Sequence, residues 1–417
     1  MLALLAAALL QEAPKTPDEV TAITQVRAIP ISGSDIESAT IVIKNGKIAE
    51  IGKDAKVPEG ATIIPGKGLV AMPGFVNAYT AFSWSRSMGG GSTPQNLAFD
   101  EFNPALDIFD VLPRTGFTTY GIAPGGGVIA GQGLAMKLNG LPKEQMVVSR
   151  SAFLRIHVRA DSSVKDMLRR EFEAAKKHLD AEKKYEDEKK KYEEEKKKRE
   201  EEEKKKKESG KTDEKKDEKT QPLQEPKPPQ KPDARMQILV NALKGELPVV
   251  LQAESPAAVA HFWQILETLE GVAPRITYLC ASEAWKAADR FGEKKATVML
   301  LPRLEFVPFT HDRLNTAAEL HRAGAKIVFA TAGGYDAHED FLSGVAEMVK
   351  YGLPREAALK AFTLHAAEVL GIEKSSGSLE AGKDGDVVLL SGDPLSATSR
   401  VTRVLIQGRP VYEEGKP

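Results

Sequence analysis

The chain of 417 residues has a single cysteine, Cys280, which excludes an internal disulfide framework and any zinc site built from several thiolates. It also lacks an excess of charge of either sign: 58 Lys and Arg stand against 59 Asp and Glu, for a formal net charge of -1. No global field therefore steers it to nucleic acid or to an anionic membrane surface. Long apolar runs are missing apart from Met1–Leu10, which is too short to span a bilayer. That run reads as the apolar core of an export signal over residues 1–17, although no Lys or Arg precedes it; a mis-called start codon or a short buried helix is the competing reading. Histidine is scarce as well. The seven are His157, His178, His261, His311, His321, His338 and His365, and none forms a His-x-His or His-x-x-x-His pair. No ready-made grip of two imidazoles on a metal is visible.

What is present is enough apolar sequence (41%) for a sizeable core. Residues 18–72 read as short strands, with Asn45-Gly46 between two β-rich runs as a type I′ hairpin signal. Residues 380–417 hold a second antiparallel block, so the two ends are expected to pair as one small β-sandwich domain. Between them, apolar runs such as Phe117–Ile122, Pro248–Gln252, Arg275–Cys280, Thr297–Leu301 and Lys326–Ala330 alternate with helical stretches. Short apolar runs suit strands covered on both faces, and the alternation predicts an α/β fold. The glycine-rich stretch Pro124–Gly133 fits neither nucleotide-binding spacing and reads as a conformational loop.

Residues 163–231 break the pattern. Within 181–220 there are 17 basic and 16 acidic residues, with opposite charges at i,i+3 and i,i+4. Such a segment supports a solvated helix and cannot enter a core. The proline-rich stretch Gln221–Pro232 ends it as a stiff linker. The insert is expected as an exposed loop excursion, with a docking arm for a partner as the alternative.

Several segments together resemble the imidazolonepropionase-like branch of the amidohydrolase superfamily. They are Gly66–Asn77, Phe102–Asp107, Thr115–Thr119, Pro124–Gly133, Gly352–Ala357 and Gly377–Pro394, in that order. The resemblance covers nearly the whole chain except the charged insert. It implies a (β/α)8 TIM-type barrel over residues 73–162 and 232–379, with its site at the C-terminal strand ends. It also implies zinc or another divalent metal that activates water for attack on an amide-type C–N bond.

At the positions that match the family's ligands, this chain carries other residues. The His-x-His pair falls on Tyr79 and Ala81, two further histidines on Gln252 and Cys280, and the metal-binding aspartate on Ala332. No metal or other cofactor is therefore expected. The expected function is a noncatalytic binding or scaffold homologue. It would hold a small molecule in the barrel mouth, or form a homo-oligomer or a hetero-oligomer with a catalytic homologue. The alternative is a hydrolase of non-peptide C–N bonds in small or cyclic amides, working through Glu254, Glu283, His311 and His338 as polar cavity residues. For the two glutamates, capping of the following helices competes with that role. Neither a nucleic-acid partner nor a membrane span is expected.

Overall fold

A computed structural model describes residues 19–81, 91–208, 223–280, 283–307, 309–331 and 335–416. The signal-like segment 1–17 lies outside them. No helix among the described residues is long and apolar enough to cross a membrane.

The two ends of the chain share one eight-stranded sheet. Its seam is the antiparallel pairing of Val70–Pro73 with Val387–Leu390. Strand Val20–Ala28 pairs in parallel twice, with Thr62–Pro65 through its first half and with Val70–Ala71 through its second. Gln25, between the halves, sits at φ 59°, and this kink lets the sheet branch. Ile23, Val26, Ile41, Ile43 and Ile64 then share one core with Val387, Leu389 and Leu405 from the other end. The Asn45-Gly46 turn joins Ile36–Lys44 to Lys47–Gly52, with both residues at positive φ (51° and 80°), as a type I′ turn requires.

The second eight-stranded sheet is the barrel. Its strands are β1 (Phe75–Thr80), β2 (Phe117–Ile122), β3 (Ile129–Lys137), β4 (Val147–Val158), β5 (Val249–Ala253), β6 (Ile276–Cys280), β7 (Thr297–Leu300) and β8 (Lys326–Phe329), each beside the next in sequence. All neighbours are parallel except β2–β3 and β3–β4, because β3 runs back against both. Pro124–Gly133 makes this reversal, which explains its glycines. A Cβ on Gly133 would sit 2.2 Å from the Phe153 ring, and one on Gly131 2.5 Å from the Asn96 carbonyl. The first and last strands are bridged by the buried Asn77 amide. It donates to the Thr331 carbonyl (2.9 Å) and accepts from the Thr331 N–H (3.2 Å), in imitation of a ladder pair.

Alternation along the strands sorts the side chains into two layers. Val76, Ala78, Ala135, Phe153, Val250, Met299 and Val328 fill the interior, with Ala366, Ala367 and Leu370 packed among them. Leu251, Tyr278, Cys280, Val298, Ile327 and Phe329 point outward beneath the helices. Ser255 caps the helix Pro256–Glu267 by accepting from the Ala258 N–H, and Pro256 occupies its first turn.

The charged segment forms one 47-residue helix, Ser162–Glu208, about 70 Å long at 1.5 Å per residue. Its beginning differs from the expected solvated insert at 163. Val164, Leu168, Phe172, Ala175 and Leu179 recur at helical spacing and are buried. Phe172 meets Phe262 edge-on at 5.9 Å, and Lys244 reaches back to Glu182 at 2.6 Å. The first five turns are thus a barrel helix, and the exposed, highly charged stretch starts near Ala181.

Candidate functional site

The C-terminal ends of β1, β4 and β5 bring three polar side chains together. On β5, Gln252 lies in register with His157 of β4 and Leu279 of β6. Arg155 precedes His157 by two residues and so shares its face. The Tyr79 hydroxyl donates to Gln252 Oε1 at 3.1 Å, and Arg155 Nη2 donates to the same oxygen at 3.0 Å. Arg155 Nη1 donates to the Pro124 carbonyl at 3.0 Å, so the β2–β3 reversal fixes the guanidinium plane. Tyr79 and Arg155 are 4% and 3% exposed. Toward solvent, His157 Nε2 stands 3.2 Å from Glu254 Oε1.

The electrostatics follow from this packing. Burial pushes the Tyr79 phenol up, and the neighbouring Arg155 charge pulls in the opposite direction. His157 is held below the ordinary imidazole value, first by burial and then by repulsion from Arg155, with Glu254 opposing both. The cluster therefore favours a neutral imidazole, a neutral phenol and one permanent cation.

These residues do not fit a divalent ion. Tyr79 presents a neutral hydroxyl that is already donating, Gln252 Oε1 already accepts two hydrogen bonds, and Ala81 has no donor atom. The Arg155 guanidinium stands beside them. A unit charge about 4 Å from a divalent ion would repel it by roughly 8 kcal/mol at an effective dielectric near 20. Among the described residues, no group of three or more His, Cys, Asp or Glu converges.

Of the remaining sequence-predicted positions, those among the described residues do not join the cluster. Cys280 faces away from the cavity, because the strand pleat turns Leu279 inward and Cys280 toward Leu300, Ala317 and Met348. Burial, followed by the nearby Glu305, pushes its thiol up to about 12, which leaves it a poor nucleophile. Glu283, at φ 55°, pairs with Lys286 at 2.5 Å. Neither glutamate caps a helix: Ser255 takes that role after β5, and Glu283 makes no capping bond. His311 is exposed at the turn between Glu305–Phe306 and Arg313–Leu314. His338 is buried far from it in sequence and surroundings, against the outward-facing rings of Phe117 (5.1 Å) and Tyr120 (5.7 Å). Ala332 lies outside the described residues. Lys137 is bound at 2.6 Å to Asp384 and 2.7 Å to Asp386, at the seam with the terminal sheet.

Sequence reasoning passed over Arg155 and His157. Their signal was a polar residue at every second position, with Leu154, Ile156 and Val158 between them. The sequence places no strand over Val147–Val158, so the alternation there carries no assignment.

Comparison with known proteins agrees with this architecture. The model described as "Amidohydrolase family" matches residues 152–411. An imidazolonepropionase from Kosmotoga olearia is 26% identical over 135 residues, which are 30% of this chain and 33% of that protein. "Amidohydrolase tasK" from Hapsidospora irregularis is 36% identical over 64 residues, 15% of this chain and 6% of its own length. The chain thus spans a third or less of these curated relatives. Among solved structures, an amidohydrolase from Thermotoga maritima superposes with a TM-score of 0.72 at 22% identity, covering 94% of this chain and 100% of its own. A putative prolidase from Bifidobacterium longum gives 0.54 at 16% identity, covering 96% of each chain. At these identities the likeness is one of fold.

Proposed function

Because the chain belongs to the amidohydrolase family, we propose that it keeps the family's barrel as a binding frame and does without the family's metal-activated water. The observation that carries this reading is the Tyr79–Gln252–Arg155 cluster. Two side chains at positions that resemble metal-ligand sites are tied to each other and to a buried cation. Fold alone does not carry an activity, so the residues at the strand ends decide the reading. The role that follows is a noncatalytic binding or scaffold member of the family. The test is hydrolysis of small linear and cyclic amides by purified protein, supplemented with Zn²⁺ or stripped by chelator. No turnover that appears with metal and vanishes with chelator is expected; such turnover would overturn the reading.

One observation favours a second reading. His157 and Glu254 form a pair at 3.2 Å at the mouth, a geometry open to general acid–base work without metal. Under that reading the protein hydrolyses non-peptide C–N bonds of small or cyclic amides. Turnover would then be indifferent to chelator and lost in His157→Gln.

A further inference from the structure

We propose that a cavity at the end of the barrel opposite the mouth binds a small organic phosphate, a phosphate monoester with an apolar body. The inference goes beyond the reading of the mouth and does not depend on it, because no residue of the Tyr79–Gln252–Arg155 cluster lines this cavity.

The first support is the shape and charge of the cavity. Its volume is about 720 Å³, within the range of about 300–1,000 Å³ usual for small-molecule sites. It opens where four barrel strands begin. Pro248 precedes β5, Arg275 precedes β6, Ala296 precedes β7 and Lys326 starts β8. Leu266, Val272, Pro274, Ile276 and Val369 give it apolar walls. Four cationic side chains, Arg275, Lys294, Lys295 and Lys326, share it with two carboxylates, Glu368 and Glu373. Lys326 is bound to Glu368 at 2.6 Å, but Lys294 meets Glu267 only at 3.5 Å. Among the described residues neither Arg275 nor Lys295 forms an ion pair. Arg275 instead donates to the neutral carbonyls of Gly245 (2.6 Å) and Glu246 (3.2 Å). His365 adds no charge at neutral pH, because burial disfavours the imidazolium; its Nδ1–H donates to the Ile327 carbonyl at 3.0 Å. Positive charge in excess over apolar walls is the complement of an anionic head on an apolar body.

The second support is the backbone at Lys295. The helix Ala288–Glu293 closes with two hydrogen bonds of 2.9 Å, from the Lys295 N–H to the Gly292 carbonyl and from the Ala296 N–H to the Phe291 carbonyl. In this closure the residue at the place of Lys295 is left-handed and is usually glycine. Lys295 stands there at φ 47°. A strained residue kept where glycine would be relaxed points to a use for its side chain. The third support separates phosphate from carboxylate. The guanidinium fork of Arg275, which would suit a planar carboxylate, is engaged with backbone carbonyls. The three ammonium groups are point charges without a fixed plane, and they suit a compact polyanion.

The experiment is calorimetric titration of the full-length protein with phenyl phosphate, with inorganic phosphate, and with phenol as the neutral control. Phenyl phosphate is expected to bind saturably at one site per chain, inorganic phosphate more weakly, and phenol not measurably. Lys295→Gly removes one cation and relaxes the left-handed position. It should weaken phenyl phosphate binding by roughly two- to five-fold, the range for one exposed ionic contact. Its melting temperature should be no lower than that of the parent, so weakened binding cannot be put down to unfolding. Lys326→Gln should weaken binding to a similar degree, whereas Glu373→Gln, which removes a carboxylate from the cavity, should tighten it. The proposal is overturned if phenyl phosphate does not bind saturably, if phenol binds as well, or if the lysine variants bind phenyl phosphate as tightly as the parent. These failures are distinct from failure of the metal-free reading, which shows itself as tightly held zinc whether or not phenyl phosphate binds.

Discussion

At the scale of single residues, Tyr79 offers a clean probe. Its hydroxyl contributes one hydrogen bond to Gln252, which also accepts from Arg155. Tyr79→Phe removes the donor and leaves the acceptor satisfied, so the expected loss is about 1 kcal/mol, measurable by urea unfolding. His157 gives a pH signature. Burial and the Arg155 charge place its folded-state pKa below the unfolded value near 6.5. The unfolded chain therefore binds the proton more readily in that interval. The contribution of His157 to stability is complete above about pH 6.5 and is lost as pH falls toward the folded-state pKa. His365 is depressed in the same direction by burial, so a comparison is needed to isolate one imidazole. Unfolding of the parent and of His157→Gln across pH 5 to 7.5 should show a parent advantage that grows with pH. A difference independent of pH would remove His157 from the account. The legibility of residues divides along the pleat. Gln252 is legible from its place in the apolar run Pro248–Gln252. The facing of Cys280 is not legible, because a linear match cannot tell which of two neighbours, Leu279 or Cys280, turns inward.

At the scale of elements, the helix Ser162–Glu208 has two unlike halves. The apolar stripe of its first five turns recurs at helical spacing, but the charge run that follows makes the whole segment resemble an exposed insert. Two substitutions separate the halves. Phe172→Ala removes a buried ring packed on Phe262 and should cost about 3–5 kcal/mol. Tyr192→Ala, on the exposed half, should stay within about 0.5 kcal/mol. Thermal or urea unfolding of the two variants checks both, and a large loss from Tyr192→Ala would mean that the charged half packs against something. The reversal at β3 was not legible either. Pro124–Gly133 reads as a glycine-rich loop, while the need for glycine at Gly131 and Gly133 comes from Asn96 and Phe153, which only the folded chain brings near. The Asn45-Gly46 turn was legible because its two positive φ angles are a local demand, met by local sequence.

At the scale of the whole molecule, both ends of the chain close on the barrel through buried charge. Lys137 of β3 lies between Asp384 and Asp386, and Asp384 also holds Lys47 of the terminal sheet at 2.8 Å. Burial alone would lower the Lys137 pKa, but Asp386 and Asp384 together outweigh it and hold the pKa above the ordinary value. Lys137→Met would leave two largely buried carboxylates facing an apolar chain and should destabilise by about 3–5 kcal/mol. Pairing of the chain ends was legible from the two β-rich blocks; this ion cluster was not, because its members lie more than two hundred residues apart. For the barrel as a whole, we propose that its mouth does without the family's metal. Metal content by plasma mass spectrometry, after incubation of the purified protein with Zn²⁺ and removal of the excess, tests it most directly. The account predicts far less than one equivalent retained, because a protein zinc site needs three or four well-placed donors. One tightly held equivalent per chain would contradict it.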